Sequence, residues 1–320
     1  MARMDAIPIG EAAARLLLLT TGGARSYLDC RYRGGDILLL GRESAGVPDE
    51  VSAAADERLV IPMQAGMRSL LSGALVFIWS TARGIRLFER DGTLWPGIAC
   101  GLLFGIEFAT LYVGLGFTTA SRGVVFLYLS PFVVAFGAHY LIAGDRLTIT
   151  KLLGLTAAMA GLIVAMREGL MEPGRPTLFG DLLCLGAAML WGATTVLIRV
   201  TPLRAAAPEK TLLYQLAVSG LMLPPLSLLA GEPGIANLSA PVLAAFAYTF
   251  VVVAFASYIA WFWLVRNYPP TRVTAFTFLS PVFGVLAGNL MLGEDFTASL
   301  GVALTLVAFG IYLVNRPQRP

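Results

Sequence analysis

Beyond residue 68 the chain alternates between long apolar blocks and short polar connections. The blocks cover 69–82, 95–117, 123–143, 152–166, 178–198, 211–230, 240–265, 273–292 and 299–314. A helix needs roughly twenty apolar residues to cross a hydrocarbon core, so the pattern predicts nine crossing helices. Residues 69–82 are the weakest of them, cut short by Arg83 and Arg86. Residues 152–166 are short but extend into their flanks.

Residues 1–68 follow a different pattern. They mix polar and apolar positions and carry eight arginines (Arg3, Arg15, Arg25, Arg31, Arg33, Arg42, Arg58 and Arg68). Leu16 to Leu19 is too short to span and follows the acidic Glu11, and no signal peptide is legible. Asp36 to Gly41 and Leu59 to Met63 read as strands, with a helix over Asp49 to Asp56 between them. The expectation is a short α/β fragment ahead of an all-α membrane body.

The apolar region repeats itself. Thr118 to Leu147 returns as Tyr268 to Phe296: Arg122 matches Arg272, and Leu129-Ser130-Pro131 matches Leu279-Ser280-Pro281, both 150 residues on. Gly144-Asp145 matches Gly293-Glu294 one residue out of step. Internal duplication of helical units is a plan typical of transporters.

Composition supports the membrane reading. Hydrophobic residues are 57% of the chain and charged ones 13%, with mean hydropathy +0.75. That charge content is about half the soluble norm. A net charge of +3 without a basic run makes nucleic acid an unexpected partner. Cys30, Cys100 and Cys184 are far apart, so a disulfide or metal framework is not expected, and neither is any resident cofactor of the membrane body.

Loop charge sets an orientation. Arg83, Arg86, Arg90, Arg146, Lys151, Arg199, Arg204, Lys210, Arg266, Arg272, Arg316 and Arg319 fall on one side. Arg122, Arg167 and Arg175 fall on the other. The C-terminus is therefore expected in the cytoplasm. Arg122 then lies outside and its counterpart Arg272 inside, which makes the repeats inverted. The second repeat has five helices and the first four, because the counterpart of 178–198 falls near the polar residues 28–50. Nine spans place residue 1 outside; eight, without 69–82, place both ends inside.

Within the spans, Glu107 is the outstanding polar residue. A carboxylate at mid-membrane costs about 2.5–3.5 kcal/mol on insertion scales and should face protein or water. Cys100, Leu103, Glu107, Thr110 and Gly114 share its helix face. The functional reading is a contact for a substrate ammonium or a proton-coupling site; the bland one is a neutral carboxyl bonded to a neighbour helix. Trp191, on a stripe with Cys184, Ala188 and Thr195, is a candidate cavity wall or core residue, as are Tyr112 and Tyr128. Aromatic walls with one acid suit a cationic or amphipathic solute. Pro131 and Pro281 each free a carbonyl inside a span, with Ser130 and Ser280 beside them as partners. These four are candidate hinge residues. Gly284-x-x-x-Gly288 suits close packing within the fold, with a homodimer contact as the alternative. His139 lies near the inner end of its helix, and Asp181 and Arg199 near helix ends, where solvation is the default.

Two resemblances follow from these motifs. GLGFTTASRG (114–123), the two Leu-Ser-Pro sequences, GDRL (144–147), GED (293–295) and GDLLCLGAAMLWGATTVLIRV (180–200) resemble the EamA type of the drug/metabolite transporter superfamily, over about residues 68–317. That resemblance implies two inverted five-helix repeats and export of a small metabolite, amino acid or drug; the first helix is the departure. GRESAGVPDEV (41–51), Ile61-Pro62-Met63, Arg68-Ser69-Leu70 and LTTGGARSYLDCRYRGGD (19–36) resemble the C-terminal half of SPOUT-class tRNA 2'-O-methyltransferases. There, Gly41, Ile61 and Ser69 would contact S-adenosylmethionine, with Glu43 in the same loop. That family's first motif is not found, and its Asn after Arg-Ser-Leu is Leu71 here.

The expected organisation is therefore an incomplete methyltransferase-like segment over 1–68, a first repeat over 69–166 and a second over 178–314. The expected function is secondary transport by alternating access in a bacterial-type inner membrane. The partners are lipid and a small-molecule substrate, with proton coupling through Glu107. The alternatives are an S-adenosylmethionine-dependent tRNA methyltransferase-like protein, or a fusion, remnant or truncated carrier without function.

Overall fold

The computed structural model describes four short strands between residues 16 and 60, and residues 65–171, 177–229, 246–284 and 298–316. The strands are β1 Leu16–Leu19, β2 Arg25–Ser26, β3 Ile37–Leu40 and β4 Glu57–Val60. They form a parallel sheet in the order β2-β4-β1-β3, with Leu16 opposite Ile37 and Leu17 opposite Glu57. Parallel pairing needs crossover connections, which fits an α/β fragment. Two strands fall where they were expected, displaced slightly. The Leu16–Leu19 run, too short to span, serves as the strand between β3 and β4. The expected helix over 49–56 lies outside the described residues.

The helices of the membrane body are α1 Ala65–Ala82, α2 Leu94–Leu115, α3 Ala120–Leu127, α4 Ser130–Leu141, α5 Ile149–Ala165, α6 Leu178–Val200 and α7 Pro208–Leu229. A π-helical stretch, Thr249–Ser257, leads into α8 Tyr258–Asn267. Then come α9 Pro270–Ala275, a 3-10 turn Phe276–Phe278, and α10 Ala298–Asn315. Among the described residues, five segments are long and apolar enough to cross a membrane: Leu94–Leu115, Ser121–Leu141, Leu178–Val200, Phe246–Asn267 and Ala298–Asn315. Each of the nine expected blocks contains helix. Residues 69–82 belong to an 18-residue helix that begins four residues earlier than its apolar block.

Small residues decide which helices touch. A Cβ on Gly154 would stand 2.7 Å from the Gly310 carbonyl oxygen, and one on Gly161 2.8 Å from that of Ala303, so α5 and α10 meet backbone to backbone. In lipid, where apolar burial gives no drive, such close approach is what holds helices together. α2 meets α7 the same way: a Cβ on Gly101 would lie 2.7 Å from the Tyr214 carbonyl oxygen. The pairs α1–α7 and α5–α10 each join corresponding helices of the two repeats.

Two cores result. One gathers Ala135, Leu155, Leu162, Phe278, Val307 and Ile311 around α5 and α10. The other gathers Val76, Cys100, Leu212, Leu216, Phe262 and Val273 around α1, α2, α7 and α8. The repeats are not equally covered. Phe246–Asn267 is 17% buried, against 39% for its counterpart Leu94–Leu115. α2 packs on α6, whereas the place corresponding to α6 in the first repeat, near residues 28–50, contains the strand β3.

Candidate transport cavity

A cavity of about 360 Å³ opens among residues drawn from both sequence repeats. The first contributes Phe104, Glu107, Phe108, Leu127 and Tyr128; the second contributes Trp191, Thr194, Gln215, Tyr258, Trp261, Thr277 and Ser280. Glu107 is 7% exposed, on the α2 face anticipated for it, with Cys100 and Gly114 also buried. Trp191 stands between two rings, 6.4 Å from Tyr128 in an edge contact and 6.2 Å from Trp261. Phe104 touches both Phe108, at 4.8 Å, and Tyr258, at 5.8 Å. The walls are thus largely aromatic, with one carboxyl and a few hydroxyl and amide groups set into them.

Three of the four candidate binding residues meet here: Glu107, Trp191 and Tyr128. Tyr112 sits one ring away, 5.6 Å from Phe108. Of the candidate hinge residues, Ser280 lines the cavity, and Ser130 and Pro131 are buried in α4. Both Ser-Pro sites coincide with breaks in helical geometry. Helix α3 ends at Leu127 before α4 restarts at Ser130, and the Phe276–Phe278 3-10 turn precedes Ser280-Pro281. Ser69, expected at a methyl donor, is fully buried in the first turns of α1. Gly41, Glu43, Ile61 and Gly288 lie outside the described residues. The Nδ1 of His139 accepts the Leu147 amide at 3.2 Å.

The sequence reading missed several polar residues. Gln215 donates through Nε2 to the Cys100 sulfur at 3.0 Å, while its Oε1 is buried without a partner. Arg68 lies 4.8 Å above the Phe108 ring. Asp181, expected as a solvated helix end, is 2% exposed. It accepts Arg122 Nε at 3.2 Å, Arg122 Nη2, and the Thr118 hydroxyl at 2.6 Å. At the opposite end of the spans, Asp145 pairs with Lys151 at 2.7 Å and accepts the Thr271 amide at 3.0 Å. The signal for both was present in the repeat motifs, as Arg122 and as GDRL, but the partners are distant in sequence.

In the loop before α2, Asp91 binds Lys210 Nζ at 2.8 Å and the Thr93 hydroxyl at 2.6 Å. These hydrogen bonds, Lys210 first, hold its carboxyl down at about 2. Among the described residues no group of three or more His, Cys, Asp or Glu side chains could hold a metal.

Helices long and apolar enough to cross a membrane, in two related sets with a largely aromatic cavity between them, define a multi-pass carrier fold. The EamA-like transporter family profile matches residues 54–167 and 178–316, and the chain belongs to that family. Among its relatives are an uncharacterized transporter of Archaeoglobus fulgidus, 26% identical over 78% of this chain and 86% of its own. Another is the chloroplastic WAT1-related protein At3g02690 of Arabidopsis thaliana, 29% identical over 79% of this chain and 62% of its own. A solved crystal structure, 19% identical, covers 78% of this chain and 85% of its own with a TM-score of 0.66, which shows the shared fold.

The SpoU rRNA Methylase family matches residues 8–74. Over 60 residues the chain is 55% identical to the tRNA (cytidine(34)-2'-O)-methyltransferase of Beijerinckia indica, covering 19% of this chain and 38% of that enzyme. The likeness to a methyltransferase is therefore confined to the N-terminal segment.

Proposed function

We propose that the chain is a proton-coupled exporter of a small organic solute, working by alternating access between the inverted repeats in an inner membrane, with its C-terminus in the cytoplasm. The observation that carries this reading is Glu107, buried in an aromatic cavity that both repeats line. A carboxyl so placed holds either a proton or a cationic group of the solute. Loading the solute from the cytoplasm displaces the proton, and rebinding of a proton from outside displaces the solute. Trp191, Tyr128 and, behind Phe108, Tyr112 give the flat apolar contacts that an amphipathic solute needs. Ser130-Pro131 and Ser280-Pro281 are the points about which the helices bend, since each sits where helical bonding is already interrupted. In this reading the repeats span 69–166 and 178–314.

The test is solute-driven proton movement in proteoliposomes carrying a trapped pH dye, across a panel of amines and amino acids. Wild-type protein should respond to at least one class, and Glu107→Gln, inserted at the same level, should not. A full response from Glu107→Gln removes Glu107 from the mechanism.

A second reading concerns residues 8–74 alone. Their identity with a tRNA methyltransferase favours binding of S-adenosylmethionine through Gly41, Glu43, Ile61 and Ser69. Calorimetric titration of the full chain with S-adenosylmethionine tests it; an absence of heat removes it.

A further inference from the structure

Helices α4 and α9 meet along a seam that leads from the cavity to the end of the spans that loop charge assigns to the cytoplasm. At the cavity, Tyr128 stands 5.9 Å from Phe278, next to the lining residue Thr277. Further along, Ala135 and Ala275 are buried in one core. At the far end the Asp145 carboxylate accepts the Thr271 amide at 3.0 Å. The seam lies to one side of both Ser-Pro sites, since α4 starts at Ser130 and the stretch from Thr271 to Phe278 precedes Ser280. No described glycine brings α4 onto the backbone of α9, so side chains close the seam. The contact of α4 with α6 is different: a Cβ on Gly137 would stand 2.7 Å from Val196, and one on Gly192 2.6 Å from Val133. A Cβ on Gly180 would lie 2.8 Å from the Phe117 carbonyl oxygen. Helices α3, α4 and α6 therefore move as one unit, and the Arg122–Asp181 pair lies inside it.

We infer that the α4–α9 seam is the cytoplasmic gate of the cavity and that Asp145 is its latch, through the one carboxylate–amide hydrogen bond to Thr271. This rests on the carrier reading above and names the side chain that controls access to its cavity. The buried charges at the seam's end belong to one side of it. Asp145 and Lys151 pair at 2.7 Å within the α4–α5 connection, and Lys151 also donates to the Arg146 carbonyl. Of these bonds, only the one to Thr271 crosses the seam. Parting the seam therefore strands no charge, which would be the costly event. It frees one amide in the first turn of α9, and water satisfies such amides readily. The Thr271 hydroxyl is buried without a partner while the seam is closed, and it gains water at the same moment. A lost hydrogen bond set against a gained one keeps the closed and open states close in free energy, as a gate that must cycle requires.

The experiment measures how fast an impermeant maleimide reacts with Ala135→Cys, within the seam, in full-length protein carrying Cys30→Ser. Inside-out vesicles present the cytoplasmic face. Asp145→Ala with Lys151→Met removes the latch without leaving a stranded charge, and should speed labelling about fivefold to tenfold, the population shift that one net hydrogen bond supports. Asp145→Asn with Lys151→Met keeps an acceptor for the Thr271 amide, and should label at the rate of the unlatched protein's parent. Ala158→Cys, fully buried where α5 meets α10 backbone to backbone, should stay unlabelled in every background. An unchanged rate at Ala135→Cys in the latchless variant overturns the inference. So does an equal rise at Ala158→Cys, or a rise seen only in right-side-out vesicles. If the latchless variant does not insert, the parent decides alone: Ala135→Cys should label slowly from the cytoplasmic side while Ala158→Cys does not, and equal rates overturn the inference. Failure of the carrier reading looks different: the seam opens and closes as stated, but no solute drives protons across proteoliposomes.

Discussion

Asp145 holds the amide of Thr271 at 3.0 Å with one carboxylate oxygen and the Lys151 ammonium at 2.7 Å with the other. The turn that aims it depends on Gly144, whose φ of +86° is open to glycine and strained for other residues. Lys151 also donates to the Arg146 carbonyl at 2.8 Å, so both charges are well satisfied although both are nearly fully buried. The arrangement ties the connection between α4 and α5 to the start of α9, a first-repeat element to a second-repeat one. Arg122 and Asp181 make the corresponding tie at the other end, between α3 and α6.

Breaking the first tie has a calculable sign. Asp145→Asn leaves Lys151 buried without a counter-charge, and loss of one partner of such a pair costs about 3–5 kcal/mol. Thermal unfolding in detergent should show a marked fall in midpoint. Asp145→Asn with Lys151→Met should recover much of it, because the stranded charge is gone. A double variant as unstable as the sum of the singles would mean that the two side chains act independently.

The contact between α5 and α10 should be intolerant of a single methyl group. Gly161→Ala places a Cβ within 2.8 Å of the Ala303 carbonyl oxygen, a backbone atom that cannot swing aside. Overpacking of this kind costs about 1–3 kcal/mol. Gly186→Ala, where a Cβ meets nothing within 4 Å, is the control and should be neutral. Size-exclusion profiles after graded heating separate the two.

The charge-derived orientation can be read by cysteine labelling. Cys100 and Cys184 are buried, so with Cys30 replaced by serine the background is low. Phe117 and Ala205 are exposed at opposite ends of the spans. An impermeant maleimide added to intact cells should label Phe117→Cys and spare Ala205→Cys until the cells are opened. The reverse pattern would invert the proposed topology.

Asp91 should make stability fall at the acid end. Its carboxyl sits at about 2 in the folded protein, below its ordinary value of 3.8, because Lys210 and Thr93 bond its charged form. The stabilisation is therefore full above pH 4 and lost as pH falls from about 4 through 2. About a third of the Asp91 side chain is exposed, so the effect should be no more than about 1 kcal/mol. Asp91→Asn should flatten that part of the curve in a pH series of unfolding midpoints.

What the order of residues determined by itself was the helical body and its duplication. Blocks of apolar residues have one stable form in lipid, since every backbone polar group must bond within its own segment. The repeat of Arg122 and Leu-Ser-Pro at a fixed interval, with loop charge on alternate sides, then gave inversion. Glu107 was legible too, because a carboxylate in an apolar block stands out whatever its neighbours are. The tertiary structure alone decided what faces what. Arg122 reaches Asp181, Asp145 reaches Thr271, and Arg68 comes to lie over Phe108 in the wall that holds Glu107. Such pairs are separated by dozens of residues, and side-chain charge is indifferent to sequence distance. Only the crossing of the helices, set by where glycines let backbones touch, brings those groups together.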